Sequence, residues 1–209
     1  MAPEFDKPYW EDHWRRTASR SAEHAVPASP YLERELVGLT PGTALDAGCG
    51  EGAEAIWLAA AGWRVTAADI SAAALTRAAE RAARAGGAAH GIEWVEADLS
   101  LWVPEQRYDV VTTHYAHPAM PQLDFYERLA GWVAPGGTLL IVGHRHDGAA
   151  HGHHQHPDEV SVTAAGITER LDHAQWDVAT AEEPSRTVTN GAGHAVTLAD
   201  VVVRAVRRR

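Results

Sequence analysis

The sequence holds a single cysteine, Cys49, so an internal disulfide framework is excluded and the chain suits a reducing compartment. Lysine is nearly absent: Lys7 is the only one among 18 basic residues. Basic charge is also the minority sign. Against 28 acidic residues it leaves a net charge of −10, which disfavours partners that present phosphate, such as nucleic acid or an anionic membrane. The one basic run, Arg207, Arg208 and Arg209, reads as a solvated tail. No stretch of about 18 apolar residues occurs, so no membrane span is expected. The opening residues MAPEFDKPYWEDHWRR lack the apolar core of a signal peptide, and the expected location is cytoplasmic. The sequence carries no signal for an oligomeric state.

What remains is an ordinary globular balance: 209 residues, 45% hydrophobic and 22% charged. That is enough chain for one domain with a core of its own. No internal repeat is present. Residues 1–26 form a polar, aromatic lead-in in which Trp10 and Trp14, four apart, share one side of a short helix. From Pro27 onward strands and helices alternate. Strands are expected at 43–47, 63–68, 92–97, 108–113 and 138–142, with helices at 51–61, 71–85 and 123–133 between them. This rhythm implies a doubly wound α/β fold with a mostly parallel sheet and right-handed crossovers. The tail breaks it. After a polar loop at 144–159 and a short helix at 163–171, two strands at 175–183 and 195–206 flank Asn190-Gly191 with no room for a helix. They are expected to close the sheet as an antiparallel hairpin, giving seven strands in all.

The densest signal is LDAGCGEG, Leu45 to Gly52, a strand running through glycines into a helix. Such a turn lets a ligand lie on bare backbone at the carboxyl end of a sheet. Three alternating glycines are read as having no packing duty. Alone, the turn fits both the dinucleotide pattern (Gly48, Gly50, Ala53) and the G-x-G-x-G of methyltransferases (Gly48, Gly50, Gly52). Acids at the ends of the first three strands narrow the choice. Asp69 ends the second strand, where a carboxylate accepts both hydroxyls of a ribose. Asp98 ends the third, where an adenine amino group would sit. Asp46 precedes the glycines, where it would welcome an ammonium and repel the phosphates of a dinucleotide.

Together LDAGCGEG, VTAADIS, IEWVEADLS, YDVVTTHYAHP and LAGWVAPGGTLLIVGH resemble, in order and spacing, the successive motifs of class I S-adenosylmethionine-dependent methyltransferases. The resemblance covers about residues 28–206 and includes the terminal hairpin. It implies a Rossmann-like methyltransferase domain over 27–209, with 1–26 as a lid. It implies S-adenosyl-L-methionine as cofactor, with Gly48 and Gly50 on its methionine part and Asp46 on its amino group. Asp69 would take the ribose, Ile70 would pack on the adenine, and Asp98 with Leu99 would hold the adenine edge. Within the family the chain looks most like small stand-alone bacterial members of the thiopurine and tellurite-resistance type. The aromatic YWEDHW and the segment ITERLDHAQWDVATAEE carry that likeness.

The implied partner is a small-molecule acceptor with a sulfur or other chalcogen, oxygen or nitrogen nucleophile, and not a nucleic acid. TTHYAHP stands where base-methylating enzymes carry an NPPY-like motif. Acceptor segments in this fold follow the fourth and fifth strands, and here they are rich in histidine. His114 and His117 are the candidate base or positioner, and His114 also borders the cofactor. Tyr115, His144 and His146 are candidate acceptor contacts, with Tyr9, Trp10 and Trp14 closing above as a lid. The run HGHHQHP raises a metal-binding alternative, but no second ligand type has recognisable spacing, so no metal site is expected. Two competing readings stay in view: an NAD(P)-linked oxidoreductase, and a non-catalytic metal sensor using the histidine loop.

Overall fold

The computed structural model describes residues 5–21, 27–145, 162–189 and 195–209. Helices α1 (Lys7–Ser21) and α2 (Pro30–Leu36) precede the sheet. Then come β1 (Thr43–Ala47), α3 (Ala53–Ala60), β2 (Arg64–Asp69), α4 (Ala72–Ala85), β3 (Glu93–Glu96), β4 (Tyr108–His114), α5 (Gln122–Ala130), β5 (Val133–His144), α6 (Ala164–Glu169), β6 (Trp176–Glu182), β7 (Ser185–Thr189) and β8 (Ala195–Arg207). The order across the sheet is β3-β2-β1-β4-β5-β8-β6, and β7 also pairs with β8. The first five strands pair in parallel, while β8 runs antiparallel to β5, β6 and β7.

Strand patterning explains the layers. Along β5, Leu139 and Ile141 enter one core with Phe125, Leu129 and Ile167, whereas Leu140 and Val142 enter the other with Leu32, Leu58 and Val65. Val111 and Val110 of β4 split the same way. Each period-two strand thus feeds a hydrophobic layer on either side of the sheet, which is why the central strands read as unbroken apolar runs. The chain builds β1, β2 and β3 outward in one direction, then returns to place β4 on the other side of β1. A crevice opens outside the carboxyl ends at that reversal, the usual ligand position in open α/β sheets.

Two expectations are corrected. The sheet has eight strands among the described residues, because Pro184 separates β6 from a further strand, β7. The Pro184 carbonyl still accepts from Asp200 N, so both pieces stay on β8. Between β3 and β4, where no helix was expected, residues 97–107 cross by a turn in which Leu101 N and Trp102 N donate to the Asp98 carbonyl. The helix read at 123–133 ends at Ala130, and β5 begins at Val133, earlier than its apolar run suggested. The hairpin turn at Asn190-Gly191 lies outside the described residues.

Candidate active site

A cavity of about 480 Å³ opens over the carboxyl ends of β1, β2 and β4. Its floor is the glycine turn. Gly48, Gly50 and Gly52 have φ of +80°, +50° and +74°, the left-handed region that favours glycine. Here the expectation that the glycines have no packing duty fails. A Cβ on Gly48 would sit 2.4 Å from the Ala116 Cβ, and one on Gly52 would sit 2.7 Å from the Trp94 ring. Backbone geometry, neighbour packing and a bare surface for a ligand all require the same residues.

Asp69 ends β2 and lines the cavity. Its Oδ2 accepts from Gly50 N at 2.9 Å and its Oδ1 from Ser71 N at 2.9 Å. The carboxylate therefore ties the glycine turn to the start of α4 even without a ligand. Burial pushes its pKa up, against those backbone donors. Ile70, Asp98 and Leu99 follow along the same wall. Asp98 Oδ1 accepts from Ser100 N and Ser100 Oγ, which fixes the turn that carries Leu99.

Asp46 departs from the sequence reading. It sits on β1, 1% exposed, behind the turn and off the cavity wall. One oxygen accepts from Ala55 N–H, while Oδ2 has no hydrogen-bond partner. Burial, then the charges of Glu54 and Asp69, push its pKa well up. Its neighbour Glu54, in the first turn of α3, does line the cavity, and accepts from Ser29 N at 3.0 Å. Sequence reasoning missed Glu54; its position just after the glycines, in a helix first turn, was the available signal.

On the opposite side, His114 and His117 both line the cavity after β4. His114 is 9% exposed, with Nε2 2.8 Å from Thr112 Oγ1 and Nδ1 without a partner. Burial holds its pKa below the ordinary histidine value, against the Glu54 charge. The His117 ring lies 5.6 Å from the Phe5 ring, and its carbonyl accepts from the Trp10 indole at 3.2 Å. Tyr115, at φ +56°, is the only described non-glycine residue in the left-handed region. Its ring stacks on His144 at 4.3 Å, and both face the cavity. His146 and the histidine loop lie outside the described residues. Among those described, no cluster of three metal-ligating side chains occurs.

Helix α1 roofs the cavity with Tyr9, Trp10 and Trp14, joined by Phe5 and His13, which the sequence reading had not singled out. Trp14 packs on Gly50, where a Cβ would meet its ring at 3.0 Å. Glu11 accepts from Ala72 N at the start of α4, and Lys7 pairs with Glu96. Aromatic rings and two polar ties thus seat the helix across the opening.

Comparisons with known proteins bear on this geometry. Residues 44–137 match the family model for a methyltransferase domain. The matched stretch runs from β1 into β5, just under half of the chain. The chain is 34% identical over 112 residues to a ribosomal RNA small subunit methyltransferase C of Alcanivorax borkumensis, covering 50% of this chain and 33% of that protein. It is 40% identical over 100 residues to an uncharacterized methyltransferase of Mycobacterium tuberculosis, covering 47% and 48%. The aligned part therefore spans a third to a half of the curated relatives' length. Among solved structures, TehB from Haemophilus influenzae superposes with TM-score 0.70 at 16% identity, covering 90% of this chain and 65% of that one. The DhpI complex with S-adenosylhomocysteine gives 0.63 at 24%, covering 96% and 98%. The fold is the Rossmann-like methyltransferase fold.

The residues present fit S-adenosylmethionine. The orphaned Asp46 Oδ2, with Glu54 and Asp69 close by, gathers three carboxyl groups beside the glycine turn, whose mutual repulsion raises the Asp46 pKa further. An ammonium would relieve that repulsion and a pyrophosphate would add to it. When bound, this cofactor supplies a methyl group activated on a sulfonium.

Proposed function

We propose that this protein is an S-adenosylmethionine-dependent methyltransferase acting on a small-molecule acceptor. The observation that carries the reading is the cavity itself. It combines a bare glycine floor, surplus carboxylates at the ammonium end and acids at the ends of β2 and β3, under an aromatic roof. Gly48 and Gly50 border the methionine part, Asp46 acts at long range and Glu54 directly on the amino group, and Asp69 takes the ribose. Ile70, Asp98 and Leu99 line the adenine side. Residues 1–26 serve as the lid over a domain formed by 27–209. The enclosing roof keeps water from the sulfonium and aligns nucleophile and methyl.

The acceptor side is walled by Phe5, Tyr9, Trp10, His13, His117, Tyr115 and His144. Rings on most sides suit a flat, largely apolar acceptor with one nucleophilic atom. The net charge of −10 opposes a nucleic-acid acceptor, although one relative acts on ribosomal RNA by name. The aromatic lead-in supports placement beside small stand-alone enzymes of the thiopurine and tellurite-resistance type. No helix among the described residues is long and apolar enough to cross a membrane, and we infer a cytoplasmic site of action. The test is incubation with methyl-labelled S-adenosylmethionine and a panel of phenols, thiols, aromatic amines and a structured RNA. Label is expected in a small acceptor, with a mass gain of about 14 daltons from one methyl for one hydrogen; label confined to RNA would overturn the small-molecule reading.

A further inference from the structure

Resting on the methyltransferase reading, we propose that His144, held by Asp200, is the general base of this site and that the acceptor is an O–H or N–H compound. His144 is the last residue of β5, and the β5–β8 register places Asp200 directly opposite it. The pair is thus built into the sheet. Asp200 is fully buried; its Oδ1 stands 3.4 Å from His144 Nδ1, and no hydrogen bond reaches that oxygen. Its Oδ2 accepts from Arg186 Nε at 2.5 Å and from the Tyr31 hydroxyl at 3.1 Å. Burial alone would raise the Asp200 pKa, but the His144, Arg186 and Tyr31 donors outweigh it and hold the group below the ordinary carboxylate value. The result is a fixed carboxylate aimed at one imidazole nitrogen.

The imidazole is fixed on its flat side too. Tyr115 stacks on it from the unusual backbone position after β4, and the Tyr115 hydroxyl accepts from Arg186 at 3.1 Å. Arg186 therefore braces both neighbours of the histidine. A carboxylate on Nδ1 selects the Nδ1–H tautomer and makes Nε2 the basic nitrogen. Pairs of this kind are commonly long before the reacting complex forms and shorten when the imidazole becomes charged. His114 is the weaker candidate: it is buried, with Nε2 engaged by Thr112. In the transfer, the acceptor X–H proton moves to His144 Nε2 as the X lone pair forms the X–CH₃ bond. The methyl–sulfur bond electrons stay on sulfur as a thioether, and the imidazolium beside Asp200 later releases its proton to water. The charged or titratable groups touching the pair are Tyr31 of α2, Tyr115 after β4 and Arg186 of β7; Arg145, next in the chain to His144, pairs with Glu183.

The test has two readouts. In nitrogen-edited NMR of histidine-labelled protein saturated with S-adenosylhomocysteine, His144 is expected as the Nδ1–H tautomer. Asp200→Asn should shift the imidazole toward the Nε2–H tautomer. An Nε2–H tautomer in the wild type, or a tautomer unmoved by Asp200→Asn, overturns the proposal. The second readout is single-turnover methylation of 4-methylphenol and of 4-nitrothiophenol, which ionises unaided. His144→Gln should lose about 10²-fold on the phenol and under about tenfold on the thiolate. Asp200→Asn should slow the phenol by about tenfold or more and leave the thiolate rate within a few-fold. Equal losses on both probes, or a wild type that methylates only the thiolate, overturn it. If neither probe is methylated, the tautomer decides. A failure to bind S-adenosylhomocysteine sinks the methyltransferase reading instead, and the tautomer in the ligand-free protein still judges the pair.

Discussion

Asp46→Asn separates stability from ligand binding at one atom. Asparagine keeps the shape and can still accept from Ala55 N–H, but it removes a buried negative charge beside Glu54 and Asp69. An unsatisfied buried polar atom costs about 1–3 kcal/mol, more when it is charged; Oδ2 of Asp46 is such an atom, and asparagine sets a neutral amide nitrogen in its place. The sign with pH follows from the raised folded-state pKa. The unfolded carboxyl ionises at its ordinary value, so the native state loses stability as pH rises from there through the raised value. Asp46→Asn should therefore stabilise the ligand-free protein at pH 7–8 by about 1–2 kcal/mol, a rise of roughly 2–8 °C in Tm for a chain this long. The gain should vanish in acid, where the wild-type residue is already protonated. The same variant should bind S-adenosylhomocysteine at least about tenfold more weakly, about 1.4 kcal/mol, because the carboxylate field favours its ammonium. Scanning calorimetry across pH 3–8 and a binding titration measure both effects. An unchanged Tm at neutral pH with undiminished affinity would refute the reasoning.

Other outcomes follow from single contacts. Gly48→Ala must fit a Cβ 2.4 Å from Ala116 at positive φ, and should destabilise the fold by about 1–3 kcal/mol in urea melts. Asp69→Ala should weaken S-adenosylhomocysteine by about ten- to a hundredfold through lost ribose bonds. It should also cost about 1–3 kcal/mol of stability, since Gly50 N and Ser71 N lose their acceptor; a calorimeter reads both. Trp14→Ala removes the ring on Gly50, and should speed ligand release by about tenfold in stopped-flow while leaving the chemical-denaturation midpoint nearly unchanged. Asp200, with its lowered folded pKa, contributes stability that is complete above the ordinary carboxylate value and lost as pH falls through the lowered one. Asp200→Asn should flatten that acid limb in pH-dependent melts.

The features legible in the sequence were those whose signal is local. A strand entering alternating glycines, acids at strand ends and a helix–strand rhythm each follow from a few adjacent residues, so the sheet and much of the cavity wall could be read directly. Tertiary placement decided the rest. Asp46 stands before the glycines, but the alternation of β1 turns it into the interior, leaving Glu54 to face the cavity. Asp200 looks like one more polar residue in a late strand; only the antiparallel register sets it against His144. Pro184 marks a break in β pairing, yet sequence does not say that the strand resumes on the same partner. Phe5 enters the roof because α1 folds back over the sheet, which no spacing within the first 26 residues encodes.

The central claim is that the cavity under α1 is a site for S-adenosylmethionine. Calorimetric titration of the wild-type protein with S-adenosylhomocysteine, alongside NAD, tests it most directly. The account predicts one site with a micromolar Kd, about −8 kcal/mol, and no heat with NAD. An absence of heat and of any thermal shift at millimolar S-adenosylhomocysteine, or tighter binding of NAD, would contradict it.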